Sequence, residues 1–260
     1  MRIATWNVNS IRQRLEHLLH FLKDHKPDIV CLQELKCQID DFPFLDIQMA
    51  GYHAQVSGQK AYNGVALLSR EPLQDVIVGL PGNQEDEQAR FIEATFKGKN
   101  RPFRVASLYL PNGNPVSSEK YAYKLEWMKR LIDYTKLLLK SEMPFFLAGD
   151  FNVIPTVDDA AEPEAWKNDA LFVLRTRQKY RELINLGLVD AIGQIRGIEP
   201  IYTFWDYQAN SWTRNNGIRI DHVLLSPQAA DCMKSAEVFK ETRSWEKPSD
   251  HVPVLVTADL

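Results

Sequence analysis

The sequence has 260 residues, of which 45% are hydrophobic and 25% are charged, and its formal net charge is −3. Those proportions exclude an intrinsically disordered chain, a collagen-like chain and a charge-rich coiled coil. A mildly acidic chain is also unlike a protein that coats nucleic acid through bulk positive charge. Any phosphate-bearing partner must therefore be bound locally or through cations.

The three cysteines, Cys31, Cys37 and Cys232, are scattered and form no CxxC pair. They indicate neither a disulfide framework nor a zinc site, and a reducing compartment is expected. The first residues lack the apolar segment and cleavage site of a signal peptide. No apolar run approaches the roughly 18 residues of a transmembrane helix. We therefore expect a soluble cytoplasmic protein with no membrane association.

The first half of the chain predicts strands around one helix. Apolar or alternating runs of strand length occur at 2–8, 28–33, 64–69, 91–96 and 103–109. After the first of them, Ser10 and Gln13 form a capping-box pattern that opens a helix, and this helix ends at Lys26-Pro27. A turn-rich segment at 111–115 follows the last of these strands.

The second half predicts two more helices and a second group of strands. The helices are expected at 118–141 and 175–187, the latter closed by a glycine. The strands are expected at 144–148, 201–207, 219–225, 237–239 and 252–258. The acid- and proline-rich segment 155–168 is expected to be irregular. Because no linker or repeat interrupts the pattern, we predict one domain over residues 1–260, with stacked sheets and helices outside.

Six places put an acid, an amide, a phenol or a histidine at the end of a predicted strand or just beyond it. They are Asn7, Glu34, Tyr109 with Asn112, Asp150 with Asn152, Asp221, and Asp250 with His251. A carboxylate after a buried strand costs free energy unless it is paired or binds a metal. Each place alone is more often a surface carboxylate, a turn or a structural ion pair than a catalytic group. Their conjunction predicts one cleft, and its oxygen-rich donors suit Mg²⁺ or Mn²⁺ better than zinc.

Six short motifs follow one another along the chain. They are TWNVNS (5–10), LQELK (32–36), YNGVA (62–66), GDFN (149–152), RIDH (219–222) and PSDHVP (248–253). In this order they resemble the exonuclease III family of DNA-repair nucleases, which includes the major apurinic/apyrimidinic endonucleases. The resemblance spans the whole chain. It implies an α/β fold, a four-layer α/β sandwich in which two packed mixed β-sheets are flanked by helices.

The resemblance also implies a Mg²⁺ site in which Mn²⁺ can substitute. Glu34 would hold the ion, helped by Asn7 and Asp250 from distant parts of the chain. Three further side chains complete the implied ligand set: Asp150, Asn152 and His251. Some family members carry aspartate at the position of Asn9, so the choice between one and two bound ions stays open.

Catalytic roles follow from the same resemblance. Asp150 would orient or deprotonate the attacking water, and Asn152 would hydrogen-bond that water or the phosphate. His251, oriented by Asp221, would contact the scissile phosphate. Two groups would contact phosphate near the leaving oxygen: Tyr109 and Asn112. In physical terms, attack on a phosphodiester adds negative charge, which a metal ion and a histidine cation offset.

Segment 202–207 holds four aromatic residues in six positions. Such residues along a strand are often core, but in the matching family segment they wall the pocket for a sugar that lacks its base. The resemblance therefore implies a pocket formed by Phe204 with Ile218 and Ile220. Further DNA contacts are predicted for Asn112, Trp205, Trp212 and Arg214. Two segments stay open between a solvated surface and a DNA contact: the basic run 175–181 and the loop 58–64.

The function predicted from these residues is that of a Mg²⁺-dependent DNA-repair nuclease. It would act on double-stranded DNA 5′ to abasic sites, degrade it 3′ to 5′ and remove 3′-blocking groups in base excision repair, as a monomer. Three alternatives are left open. One is a phosphodiesterase of the same superfamily that acts on lipid or inositol phosphates. The second is a family member restricted to 3′-exonuclease or 3′-phosphatase activity, and the third is a DNA-binding module without catalysis.

Overall fold

A computed structural model describes residues 1–195, 197 and 199–260, which form two six-stranded β-sheets with helices outside. The strands are β1 (Arg2–Asn7), β2 (Ile29–Gln33), β3 (His53–Ser57), β4 (Val65–Ser69), β5 (Gln74–Val78), β6 (Phe91–Phe96), β7 (Phe103–Tyr109), β8 (Phe145–Asp150), β9 (Val189–Asp190), β10 (Asp221–Leu225), β11 (Met233–Val238) and β12 (Val254–Ala258). The helices are α1 (Leu15–His25), α2 (Phe44–Met49), α3 (Glu119–Lys140), α4 (Leu174–Ile184), α5 (Ala191–Ile195) and α6 (Pro227–Ala230). Among these described residues, no helix has the length and apolar character needed to cross a membrane.

The strand order places several strand ends at one edge of each sheet. The first sheet has the order β11-β12-β1-β2-β4-β3, and the second has β5-β6-β7-β8-β10-β9. Strands β1 and β2 pair in parallel, whereas β12 runs antiparallel to β1. In the second sheet β7 and β8 pair in parallel, and β10 runs antiparallel to β8. The carboxyl ends of the parallel strands therefore lie beside the amino ends of their antiparallel neighbours.

Hydrophobic clusters fill the spaces between the layers. Ile29 and Leu67 of the first sheet share a buried cluster with Val105 and Val223 of the second. Helix α1 covers the outer face of the first sheet, and α3 and α4 cover that of the second. Burying a side chain such as Phe21 of α1 stabilises the fold by about 1.5–3 kcal/mol. The predicted four-layer α/β sandwich of two mixed sheets flanked by helices is confirmed.

The predicted strand at 201–207 is wrong. Phe204 forms single bridges with Ile218 and with His251, and no residue of this segment joins either sheet. The segment instead connects the loop before β10 to the loop before β12. Its aromatic character arises because residues such as Trp205 pack in a small separate cluster beside the sheets.

The predicted capping box at Ser10 and Gln13 is also wrong, because α1 begins at Leu15. Ser10 has a φ of 91°, and its amide donates to the carbonyl of Glu34 at 2.8 Å. Its backbone therefore pairs with the loop that follows β2 and does not open a helix. The contact with Glu34, which is distant in sequence, overrides the local preference of Ser10 and Gln13 for a helix start.

The edge strands β3, β5 and β9 were not predicted, and β11 is longer than the expected strand at 237–239. Strands β3 and β5 are largely half-buried or exposed along their length. An edge strand of this kind needs no continuous apolar run, because only one side of it is paired and part of its surface meets water. The sequence signal is weak there for that reason.

Candidate active site

The predicted site residues come from both sheets and meet at one edge. Asn7 ends β1, and Glu34 directly follows β2. Asp150 ends β8 and faces Asp221, the first residue of β10, in the antiparallel register. His251 lies just before β12. Strand direction brings these residues to one edge within each sheet, and the packing of the two sheets on a shared core brings the two edges together.

A buried chain of acid, histidine and acid lies at the centre of the cleft. Nδ1 of His251 is 2.8 Å from Oδ2 of Asp221, and its Nε2 is 3.7 Å from Oδ2 of Asp150. All three residues are at most 3% exposed. Oδ1 of Asp221 is buried with no hydrogen-bond partner in the described part of the chain. Because buried carboxylates are unfavourable without a counter-charge, the arrangement favours an imidazolium between them.

Amide side chains connect this chain to Glu34. Nδ2 of Asn7 donates to Oε1 of Glu34 at 2.8 Å and to Oδ2 of Asp150 at 3.0 Å. The backbone amide of Asn152 donates to Oδ1 of Asp150 at 2.8 Å. Nδ2 of Asn112 donates in turn to Oδ1 of Asn152 at 3.2 Å. The structure thus joins these predicted residues in one polar network.

The electrostatic environment raises the pKa values of the two central groups, Asp150 and His251. Burial alone would lower the pKa of His251, but Asp221 and Asp150 raise it to about 10. The imidazole is therefore a cation at neutral pH. Burial raises the pKa of Asp150 to about 7, against the lowering effect of His251. This carboxyl is consequently poised to accept a proton near neutral pH.

Glu34 is more accessible, with a side chain that is 17% exposed. Burial raises its pKa, but Lys36, whose Nζ is 2.9 Å from Oε2, and Asn7 give a net shift downward. Tyr109 lies beside it. Burial and the charges of Glu34 and Asp150 hold the pKa of this phenol well above its ordinary value, so it is a neutral hydrogen-bond donor.

Three side chains of the cleft could hold a metal ion. Ligand atoms of Glu34, Asp150 and His251 all lie within 4.8 Å of one another. The two carboxylates supply the oxygen ligands that a hard divalent cation such as Mg²⁺ or Mn²⁺ takes, and the imidazolium of His251 offers no lone pair of the kind that zinc would use. The donors therefore fit the ion that the sequence predicts.

The other three predicted ligands have different partners in this structure. Oδ1 of Asn7 accepts the backbone amide of Asn9 at 3.0 Å. Oδ1 of Asn152 accepts from Asn112, as described above. Oδ1 of Asp250 accepts from Nδ2 of Asn9 at 3.0 Å, and Asp250 stands outside the group of three. Direct coordination by these residues stays a prediction.

A pocket of ≈ 300 Å³ adjoins the histidine end of the cleft. Phe204 and Ile218 line it, and the ring of Phe204 meets the ring of His251 edge-on with centroids 4.9 Å apart. Trp166, from the segment 155–168, forms another wall of this pocket. Ile220 is buried behind Ile218 in the same cluster and supports the pocket without lining it. The pocket is thus apolar on the side that adjoins the reacting groups.

Direct DNA contact by the side chain of Trp205 is contradicted, because this side chain is wholly buried. It packs edge-on against the half-buried Trp212, with ring centroids 5.1 Å apart. Arg214 is exposed and lies 3.0 Å from a carboxylate oxygen of Glu162, so a phosphate would compete with that ion pair. Contacts of Trp212 and Arg214 with DNA stay predictions.

The two segments left open by the sequence lie at different distances from the cleft network. The whole basic run 175–181 belongs to α4, on the outer face of the second sheet. The loop 58–64 instead contacts the loop after β2 that carries Glu34, since the backbone amide of Lys36 donates to the carbonyl of Asn63 at 3.0 Å. Tyr62 of this loop is 72% exposed. Position therefore favours the loop over the helix as a DNA contact.

Four side chains near the cleft were missed by sequence reasoning: Lys36, Arg90, Lys124 and Trp166. Arg90 lies 4.8 Å above the ring of Tyr109. This contact joins neighbouring parts of the second sheet, so no local sequence pattern predicts it. Lys124 could have been found, because it lies three residues after Tyr121 and four before Met128 on the buried face of α3. A lysine at such a position is a signal of a buried polar contact.

The layered fold and the acidic cleft at the edge of both sheets define the class of α/β-sandwich phosphoesterases. A family model described as "Endonuclease/Exonuclease/phosphatase family" matches residues 4–251. The chain belongs to this family and, within it, to the exonuclease III group.

Individual relatives are similar over their full length. The chain is 32% identical over 260 residues to an exodeoxyribonuclease of Bacillus subtilis (strain 168), with 98% of each protein covered. It is 41% identical to a 3′-5′ exonuclease (NExo) from Neisseria meningitidis, with a TM-score of 0.95 and 100% of both chains covered. That Neisseria protein has also been solved as a 3′ phosphatase bound to product DNA hairpin. An AP endonuclease from Archaeoglobus fulgidus is 39% identical, with a TM-score of 0.94 and 100% of both chains covered.

Proposed function

We propose that this chain is a DNA-repair nuclease that cuts duplex DNA 5′ to abasic sites, degrades it from 3′ ends and removes 3′-blocking groups. The observation that carries the proposal is the juxtaposition of Glu34, Asp150 and His251 next to a pocket in which Phe204 and Ile218 form an apolar wall. The names of its full-length relatives, which include exonucleases and an AP endonuclease, support the same conclusion.

The polar network supplies the groups that hydrolysis of a phosphodiester requires. Asp150 holds the attacking water and accepts its proton, and Asn152 donates a hydrogen bond to that water or to the phosphate. His251, kept cationic by Asp221, offsets the negative charge that develops on the phosphate oxygens. The phenol of Tyr109 stays protonated and can donate to the leaving oxygen.

We propose Mg²⁺ as the cofactor, with Mn²⁺ as a substitute, held by the carboxylates of Glu34 and Asp150, while the imidazolium of His251, which has no free lone pair, contacts the phosphate instead of the ion. When bound, the cation supplies positive charge to the phosphate oxygens. A local charge of this kind also explains how a chain with a net charge of −3 binds DNA without a dominant basic surface. We further propose that the protein acts as a monomer in the cytoplasm.

One assay with three labelled duplexes tests the proposal. The substrates are an internal abasic site, a 3′-phosphate at a nick and a clean recessed 3′ end, each incubated with Mg²⁺ and with EDTA. Cleavage of at least one duplex that EDTA abolishes supports the proposal. Hydrolysis of inositol phosphates or lipid headgroups with all three duplexes intact would assign the chain to the other branch of the superfamily. Cutting of both 3′ substrates alone would restrict the function to 3′ processing.

The pKa shifts of Asp150 and His251 predict a one-sided pH profile. We expect kcat/KM to fall at acidic pH, because a protonated Asp150 cannot accept a proton, and a bound Mg²⁺, which favours the carboxylate, moves this decline below the pKa of about 7 that burial gives Asp150 without the ion. We expect no loss up to about pH 9, because the pKa of His251 is about 10 and the imidazolium persists. Steady-state rates at saturating Mg²⁺ measure both the acidic decline and the alkaline plateau of kcat/KM.

Asp221→Ala is the matched variant for this profile. Removal of the carboxylate 2.8 Å from His251 lowers the pKa of the imidazole, so an alkaline decline should appear in this variant. At neutral pH its loss of rate should be milder than that of a change at Asp150, since Asp221 acts through His251. An alkaline decline of equal midpoint in the unmodified protein would show that His251 is not held as a cation.

Phe204→Ala is predicted to reduce the preference for abasic over intact duplex more than it reduces general DNA affinity. A flipped abasic sugar offers no base to hydrogen-bond, so shape and apolar contact must provide recognition. Competitive cleavage of the two duplexes measures the preference, and Phe44→Ala, at a half-exposed phenylalanine outside the pocket, is the control. A fall of melting temperature equivalent to about 3–5 kcal/mol with the preference unchanged would place Phe204 in the core instead.

A further inference from the structure

Lys124 of α3 places a cation in the protein interior. Its side chain is wholly buried, which is unfavourable for an ammonium group unless its N–H groups are satisfied. Nζ donates to the backbone carbonyl of Asn152 at 2.6 Å and to that of Asn112 at 3.0 Å. These two hydrogen bonds therefore fix the position of the lysine head group and, in turn, the positions of both carbonyl groups.

The residues that supply these carbonyls also supply amide side chains to the cleft. Nδ2 of Asn112 donates to Oδ1 of Asn152 at 3.2 Å, and Nδ2 of Asn152 donates to the carbonyl of Leu110 at 2.9 Å. Asn152 has a φ of 48°, in the left-handed region, where a residue other than glycine needs support from its surroundings. One buried ammonium thus fixes the backbone of both amide residues.

The loop that follows β7 is closely packed on the stem of the lysine. A Cβ placed on Gly113 would lie 2.6 Å from Cδ of Lys124, and Gly113 has a φ of +87°. Glycine is therefore required here for two reasons. The lysine stem has no room to move toward this loop, so the spacing between α3 and the loop is fixed.

The two hydrogen bonds of Lys124 do not depend on whether its amine is protonated. Burial lowers the pKa of Lys124 to about 7, although Asp150 and Asp169 oppose the shift. A neutral amine still carries two N–H donors, and two carbonyls are to be satisfied. Both hydrogen bonds can therefore form in either state.

We propose that Lys124 is a positioning residue of the nuclease, which holds the backbones of Asn112 and Asn152 so that their amides face the substrate phosphate. The inference rests on the proposed function and adds to it a residue that touches neither substrate nor metal. Displacement of a positioned group by about 1 Å can cost about 10² in rate. Loss of the ammonium should therefore appear in kcat rather than in KM.

Lys124→Met tests the proposal, because methionine fills most of the space and makes neither hydrogen bond. We expect kcat on the most active of the three duplexes to fall by about 10², with KM changed by less than about threefold. Lys129→Met, at a 61% exposed lysine of the same helix, is the matched control and should leave kcat unchanged. Thermal melts of both variants establish that they are folded at the assay temperature.

A double-mutant cycle with Asn152→Ala separates positioning from a merely structural role. If Lys124 acts through the amide of Asn152, its substitution should cost little once that amide is gone. An unchanged kcat, or a loss that multiplies in full in both backgrounds, overturns the proposal. If Lys124→Met does not fold, Lys124→Gln, which keeps a donor on a shorter stem, decides by the same cycle. If the unmodified protein cuts none of the duplexes, the nuclease function fails and the inference falls with it.

Discussion

Asp150→Asn is expected to lower kcat by about 10²–10⁴ while DNA binding is kept or strengthened. The amide retains the shape of the carboxylate but accepts no proton, and it removes a negative charge that would repel phosphate. Single-turnover cleavage measures the chemical step, and binding to an uncleavable duplex measures affinity. Both oxygens of Asp150 accept hydrogen bonds, from Asn7 and from the backbone amide of Asn152, so the asparagine loses one acceptor and we expect a modest loss of thermal stability, which a thermal melt measures.

Asp40→Asn is the matched control, since Asp40 is exposed and lies outside the cleft network. It should change neither quantity. Weak binding by the Asp150 variant, with normal kcat at saturating DNA, would show that Asp150 holds substrate and does not take part in the chemical step.

Glu34→Ala is expected to leave the fold intact and to lower kcat by about 10²–10³ at low Mg²⁺. Its carboxylate is the accessible member of the group that could hold the ion, so its loss should weaken the site most directly. Excess Mg²⁺ or Mn²⁺ should restore part of the rate, because the carboxylate of Asp150 remains. A titration of rate against metal concentration makes the measurement.

Glu87→Ala, at an exposed glutamate, serves as the control for loss of one carboxylate. It should leave the metal dependence of the rate unchanged. Near-normal turnover of the Glu34 variant at low Mg²⁺ would mean that Glu34 is not a ligand.

The centre of the site could be predicted because it depends on rules that act locally. Asn7, Glu34 and Asp150 stand at the ends of buried strands, and the apolar run that marks such a strand also marks its end. The order of the motifs around them then indicated the family. Parallel pairing gives Asn7 and Glu34 a common edge in the first sheet, whereas the approach of Asp150 from the second sheet depends on how the two sheets pack.

The surroundings of the site depend on contacts that no local pattern encodes. Trp166 reaches the pocket from the end of a short 3₁₀ helix, Pro163–Trp166, in a segment expected to be irregular, and Trp205 is buried although its neighbour Phe204 lines that pocket. Two residues adjacent in sequence thus face different environments because their segment crosses between sheets. Ser10 shows the same limit, since a loop contact replaced the helix start that its side chain favours.

Strand β1 is completed only by β12, with Ala4 opposite Leu255 and the amino group of Met1 donating to the carbonyl of Ala258 at 2.6 Å. On the ribosome, a growing chain therefore presents Glu34 and Asp150 long before His251 exists. The first sheet cannot close until residues 254–258 have been translated and inserted beside β1. Contacts of such long range form late and slowly in folding. His251 therefore reaches the cleft only after all of the residues that precede it have been made, and β12 must still be added beside β1.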